Sequence, residues 1–171
     1  LRGSSVKDLN LSCNRSITSS GCQLLFNQLS QTSIEKLDFR INNMDNGGLA
    51  AVASISTLKS LDLYNNKKIT PAGWWTFFNL LQRIGIQLVK LDISENNIGN
   101  GSVDALGSLL GSMNTLKELL MNETSGDEPD ITSQGWVTLF TTLQGSNLDL
   151  VDLNLGNNRI DDERLQLLVR L

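Results

Sequence analysis

The chain has 171 residues, 14 Lys+Arg against 18 Asp+Glu for a formal net charge of −4, 40% hydrophobic residues and no histidine. The acidic balance argues against a nucleic-acid or anionic-membrane binder, since both need a dense cationic surface. The lack of histidine removes Ser-His-Asp and Cys-His catalysis, the H-E-x-x-H zinc site and any imidazole general base, so the chain is read as a non-enzyme that needs no cofactor.

In chain order, the first unit is a short strand with Val6, Leu9 and Leu11 on one side, closed by Asn14. Ile17 follows, and then a helix whose Cys22, Leu25, Phe26 and Leu29 fall at i, i+3, i+4 and i+7, the spacing of one helical face. The unit returns as Ile34, Leu37, Phe39 and Asn42, then Met44, then a helix carrying Leu49, Val52 and Ala53. The third is Leu58, Leu61, Leu63 and Asn66, then Ile69, with Trp74, Phe77, Phe78 and Leu81 on the helix. The fourth is Leu88, Leu91, Ile93 and Asn96, then Ile98, with Val103, Leu106 and Gly107. In the fifth, Leu116, Leu119 and Met121 precede Thr124, which stands in the Asn place; Ile131 and the face Trp136, Leu139, Phe140, Leu143 follow. Leu150, Leu153, Leu155, Asn158, Ile160 and a helix with Leu165, Leu168 and Val169 make the sixth.

These units start near residues 6, 34, 58, 88, 116 and 150, at spacings of 28, 24, 30, 28 and 34 residues. Alternating apolar residues face one side of each strand and the residues between them face the other. The odd helices carry bulky faces and the even ones slim faces, so that neighbours nest without voids. A Thr precedes each bulky face by four residues (Thr18, Thr70, Thr132) and a Gly by one (Gly21, Gly73, Gly135).

The six matches to L-x-x-L-x-L-x-x-N resemble the leucine-rich-repeat family across essentially the whole chain. The near-28 period with a helical second half is similar to its ribonuclease-inhibitor-like subfamily. That resemblance implies one leucine-rich-repeat domain over residues 1–171: an α/β solenoid, or horseshoe, with a concave parallel sheet, convex helices and a ladder of Asn side chains. Thr124 weakens the ladder in the fifth repeat. Solenoid ends need polar caps, and the apolar positions run close to both ends of this chain, which begins at Leu1 rather than Met. The expectation is a fragment of a longer array, with a capping subunit as the alternative.

Candidate sites follow from the strand positions that face away from the core. The residue between the two central apolar ones is Asn10, Asp38, Asp62, Asp92, Leu120 and Asn154 in turn. Three carboxylates on adjacent strands stand ~5 Å apart, a docking stripe for a basic protein partner or else the habit of the repeat, with Lys36, Arg40, Lys59 and Lys90 near enough to neutralise part of it. Arg40, Tyr64, Asn65, Glu95 and Glu123 lie at the strand ends. Tyr64, the only tyrosine, is either an interface anchor or an ordinary surface residue. The fifth repeat holds an acidic insertion with Asp127, Glu128 and Asp130, a binding loop or a neutral length variant. Trp75 falls one step off the buried register, on the convex flank or beside the core.

Cys13 and Cys22 lack C-x-x-C spacing, and free thiols in a reducing intracellular, cytoplasmic setting are expected, with one bridge as the alternative. No apolar run reaches the ~18–20 residues of a membrane span. Four N-x-[ST] sequons, at Asn10, Asn14, Asn100 and Asn122, read as chance; Asn14 should be buried as a ladder residue, and only Asn100 is placed to carry a glycan. No phosphate-binding loop or calcium loop matches. The function expected is protein–protein recognition through the concave face and strand-end loops, as a scaffold or a subunit of an assembly. Alternatives are the sensor repeats of a nucleotide-binding immune-type receptor or, on resemblance alone, a Ran-type GTPase-activating protein.

Overall fold

A computed structural model describes residues 4–124, 131–162, 165 and 166. Six three-residue strands, β1 (Asp8–Asn10), β2 (Lys36–Asp38), β3 (Ser60–Asp62), β4 (Lys90–Asp92), β5 (Glu118–Leu120) and β6 (Asp152–Asn154), form one parallel sheet in sequence order. Five helices return the chain between strands: α1 (Ser19–Leu29), α2 (Asn46–Val52), α3 (Pro71–Ile84), α4 (Asn100–Ser112) and α5 (Ser133–Gly145). This is the α/β leucine-rich-repeat solenoid that the repeat pattern implies.

Register follows from the apolar rows. Leu9, Leu37, Leu61, Leu91, Leu119 and Leu153 are successive partners across the sheet. Each central strand buries this leucine beneath the sheet, at 0–1% exposure from Leu37 to Leu119. Each such burial is worth about 1.5–3 kcal/mol. The bulky helix faces pack as the spacing predicts: Trp74 stacks on Phe78 with centroids 5.5 Å apart, and Phe26 meets Phe39 edge-on at 5.2 Å. Leu25 departs from the expected face and is only half-buried; among the described residues no helix precedes α1 to cover that side.

The ladder is realised from the second repeat on. The Asn66 side-chain amide donates to Phe39 O and Leu63 O at 3.0 Å each, and its Oδ1 accepts from Met44 N. Asn96 donates likewise to Leu63 O and Ile93 O and accepts from Asn66 N at 2.9 Å. At the Thr124 rung the gap is bridged from the next repeat: Thr124 donates its N–H and its hydroxyl to Asn158 Oδ1, at 2.8 and 2.9 Å. Asn14 is a correction, since it is exposed rather than buried. It bonds its own strand exit, Leu11 O and Ser12 O, and among the described residues no earlier repeat covers it. The residue before each rung (Cys13, Ile41, Asn65, Glu95, Glu123, Asn157) has φ between 52° and 62°. This left-handed turn lets the chain leave each strand at the same place. In the sixth repeat Leu165 is 47% exposed, not on a buried face; Leu168 and Val169 lie outside the described residues.

The Thr–Gly signature is an N-cap. Thr18, Thr70 and Thr132 hydroxyls accept from the N–H of Gly21, Gly73 and Gly135, satisfying a donor that the first helical turn leaves free. The second and third of these caps are also braced from the helix before: Asn46 exchanges two bonds with Thr70, and Asn100 Oδ1 accepts both N–H and hydroxyl of Thr132. Ser19 donates to Asp45, the cap of α2, at 2.7 Å. Asn100 thus serves the cap of α5 through its Oδ1.

Candidate concave recognition face

Asp38, Asp62 and Asp92 face one another across the concave side of β2, β3 and β4 as register partners. Each carboxylate first serves its own strand exit. Oδ1 of Asp38, Asp62 and Asp92 accepts the backbone N–H of Arg40, Tyr64 and Ser94, at 3.2, 3.1 and 2.9 Å. Asn10 and Asn154 do the same for Ser12 and Gly156. The acidic column is thus first a turn device, in which Asp or Asn holds the second N–H beyond it, and its choice of Asp over Asn adds charge without adding that bond.

Neutralisation is partial. Arg40 reaches Asp38 at 2.9 Å and Asp62 at 4.0 Å. Lys36 and Lys90 do not contact the column; they pair with Asp8 and Glu118, at 3.8 and 2.6 Å. Asp62 lies between two other carboxylates with its side chain 18% exposed. Burial, helped by the charges of Asp92 and Asp38, pushes its carboxyl up to about 6, against the N–H of Tyr64 and the Arg40 guanidinium. Partial burial between two like charges disfavours the ionised form. Arg40, Ile41, Asp62, Tyr64 and Asp92 line a shallow hollow of about 390 Å³.

Tyr64 is half-buried rather than exposed. Its hydroxyl donates to one oxygen of Glu95, and Asn65 Nδ2 donates to the other at 2.7 Å. The Glu95 bond pushes the Tyr64 phenol up to about 12, with burial and the charges of Glu95, Glu123 and Asp92 adding to it. Glu123 is exposed and accepts from Asn157 Nδ2 at 3.2 Å. The structure therefore brings Asp38, Arg40, Asp62, Tyr64, Asp92, Glu95 and Glu123 onto one face. Trp75 is elsewhere, 52% exposed on α3. Asp127 and Glu128 lie outside the described residues, as does the rest of the acidic insertion.

Leu120 was named in the column without a role, and Ser94 went unremarked in the sequence. Leu120 holds the column position on β5 as the partner of Asp92 and Asn154, and it has no side-chain acceptor for the N–H two residues on. Asn122 N instead donates to Ser94 Oγ of the preceding repeat at 3.2 Å. The signal was present as the one apolar residue in a column of Asn and Asp.

Among the described residues no group of three or more His, Cys, Asp or Glu is placed to hold a metal ion. No helix among them is long and apolar enough to cross a membrane. Cys13 is exposed and Cys22 buried, both free. Burial, with the nearby Asp45 charge, pushes the Cys22 thiol up to about 11, so it is held as an inert thiol.

Residues 4–26 and 88–107 match the family described as Leucine Rich repeat. The chain carries leucine-rich repeats. Comparison with curated proteins returns no match. Leucine-rich repeats generally serve protein–protein interaction rather than catalysis, using the extended concave surface that stacking produces.

Proposed function

We propose that this chain is a ribonuclease-inhibitor-like leucine-rich-repeat array over residues 1–171 that recognises a protein partner with a basic surface. The contact residues are Asp38, Arg40, Asp62, Tyr64, Asp92, Glu95 and Glu123, acting as a scaffold or a subunit of an assembly. One observation carries the reading: five carboxylates gather on this face, and among the described residues Arg40 is the only cation paired with the column. A partner's Lys or Arg would find preformed acceptors in a partly desolvated hollow, where a charge pair is worth more than in open water. The return of each of the first five repeats through a helix supports the subfamily, and two free thiols support a reducing compartment.

The test uses variants whose folding the chain itself vouches for. Asn10 and Asn154 show that Asn makes the same turn bond, so Asp38→Asn, Asp62→Asn and Asp92→Asn together remove charge while keeping the backbone acceptors. Affinity capture with the native chain should retain a basic protein that the folded triple variant loses. Recovery of the same proteins by both would move the site off this face.

A further inference from the structure

Leu120 interrupts the concave column at a structural cost. On the other five strands the equivalent Asn or Asp holds the N–H two residues on; here that N–H must borrow Ser94 Oγ from the neighbouring repeat, and Ser94 is itself 1% exposed. Core packing does not call for the exchange. Leu119 and Met121, on either side, both point into the core at 0% exposure, whereas Leu120 stays half-exposed on the open side of the sheet. An apolar side chain kept there, where Asn would restore a local bond, is a feature suited to an occupant.

The surroundings say what chemistry the occupant has. Arg40 pairs with Asp38 at 2.9 Å and reaches Asp62 only at 4.0 Å, and Lys90 pairs with Glu118. Around Leu120 this leaves Asp92, Glu95 and Glu123, whose hydrogen bonds come from neutral donors: Ser94 N, the Tyr64 hydroxyl with Asn65, and Asn157. The patch is anionic beside an aliphatic contact. Neighbouring strands stand ~4.8 Å apart, so a cation seated between Asp62 and Asp92 lies ~7 Å from the Leu120 position; side chains two residues apart on one face of an extended segment are spaced at ~6.6–7 Å.

We propose that the patch formed by Asp62, Tyr64, Asp92 and Leu120 binds an extended segment of a partner protein that carries a basic and an aliphatic side chain two residues apart. This rests on the concave face being the recognition surface. The aliphatic residue lies on Leu120 and excludes water from the neighbouring charge pair. Specificity then comes from the pairing of the two side chains, since a basic residue alone gains only the screened attraction of a surface ion pair.

The experiment is a titration of the 15N-labelled chain, followed by backbone amide shifts, with three blocked peptides: Gly-Arg-Gly-Leu-Gly, Gly-Arg-Gly-Gly-Gly and Gly-Gly-Gly-Leu-Gly. The first should move the amides of Ser94, Leu120 and Asn122 and bind about tenfold more tightly than the second, the equivalent of ~1.4 kcal/mol. Leu120→Asn should erase that tenfold difference while leaving the arginine-only peptide unchanged, and Asp92→Asn should weaken both arginine peptides. Equal binding of the two arginine peptides, or a difference that survives Leu120→Asn, overturns the paired recognition but leaves the acidic-face reading standing. No shift of concave amides with either arginine peptide overturns both. Thermal melting of Leu120→Asn provides the folding control: a midpoint at or above that of the parent supports a surface role, and a fall of several degrees would mark Leu120 as a packing residue and overturn the proposal.

Discussion

Gly73 carries no side chain because a Cβ there would stand 2.1 Å from Asn46 Oδ1, the oxygen that accepts from Thr70 N. Gly21 holds the same place in the first repeat, yet its nearest neighbours would be at 3.4 and 3.6 Å, because no earlier helix sends an Asn across. The two glycines are equivalent in sequence and different in consequence. Gly73→Ala should destabilise the chain by about 1–2 kcal/mol through loss of the Asn46–Thr70 pair, while Gly21→Ala should be neutral or stabilising by a few tenths of a kcal/mol from unfolded-state entropy. Urea unfolding of the two variants checks this, and equal effects would remove the brace from the explanation. The cysteines divide similarly: one thiol, Cys13, should react with a thiol reagent in the native chain and two after unfolding, counted by intact mass. Reaction of both in the native state would contradict the burial of Cys22.

At the scale of the elements, the ladder ties strand exits together in a direction that the strands alone do not secure. Asn66 is fully buried and its amide and carbonyl bond both the repeat before and its own; Asn14 is exposed and bonds only its own strand. Asn66→Ala should cost about 3–4 kcal/mol, since it leaves several buried backbone groups without partners, and Asn14→Ala about 0.5–1 kcal/mol. Comparable losses in thermal unfolding would show that the rungs act locally, within each turn. The repeat, its strand ends and the rungs were all legible in the sequence, because the apolar spacing and the Asn recur in register. The helix braces were not, because they join residues 24 to 32 positions apart whose meeting depends on how one helix slides along the next. The burial of Tyr64 against Glu95, 31 positions on, escaped notice for the same reason.

Across the whole molecule, stacking turns one residue per repeat into a column, and the column has an electrostatic cost. The Asp62 carboxyl in the native chain holds its proton to about pH 6, against an ordinary value of 3.8. Between those values the native state binds more protons than the unfolded one, so this group's contribution is present below pH 4 and lost as pH rises through 6. Asp62→Asn, neutral throughout and still able to hold Tyr64 N–H, should match the parent near pH 4 and exceed it above pH 6.5 by on the order of 1–3 kcal/mol. A pH-independent difference in melting would show that burial does not hold the Asp62 carboxyl above its ordinary range. A basic partner acts in the opposite sense, pairing with the ionised column and weakening as pH falls below 6.

The solenoid, its strand order and the side of each strand that faces the core were legible in the residues alone, because a period-two alternation recurring every 24 to 34 residues is satisfied by stacking the units so that every apolar row is buried. It also placed Asp38, Asp62 and Asp92 on one face, since register follows from the same rows. What those carboxylates do came from the packing of one repeat on the next: which oxygen holds a backbone N–H, that Arg40 answers Asp38 while Lys36 and Lys90 pair with Asp8 and Glu118, and that Ser94 accepts the Asn122 N–H that Leu120 cannot hold. Those outcomes depend on distances of a few ångströms between neighbouring repeats, and hydrogen bonds and charge pairs change sign or vanish over that range, whereas the burial that sets the fold does not.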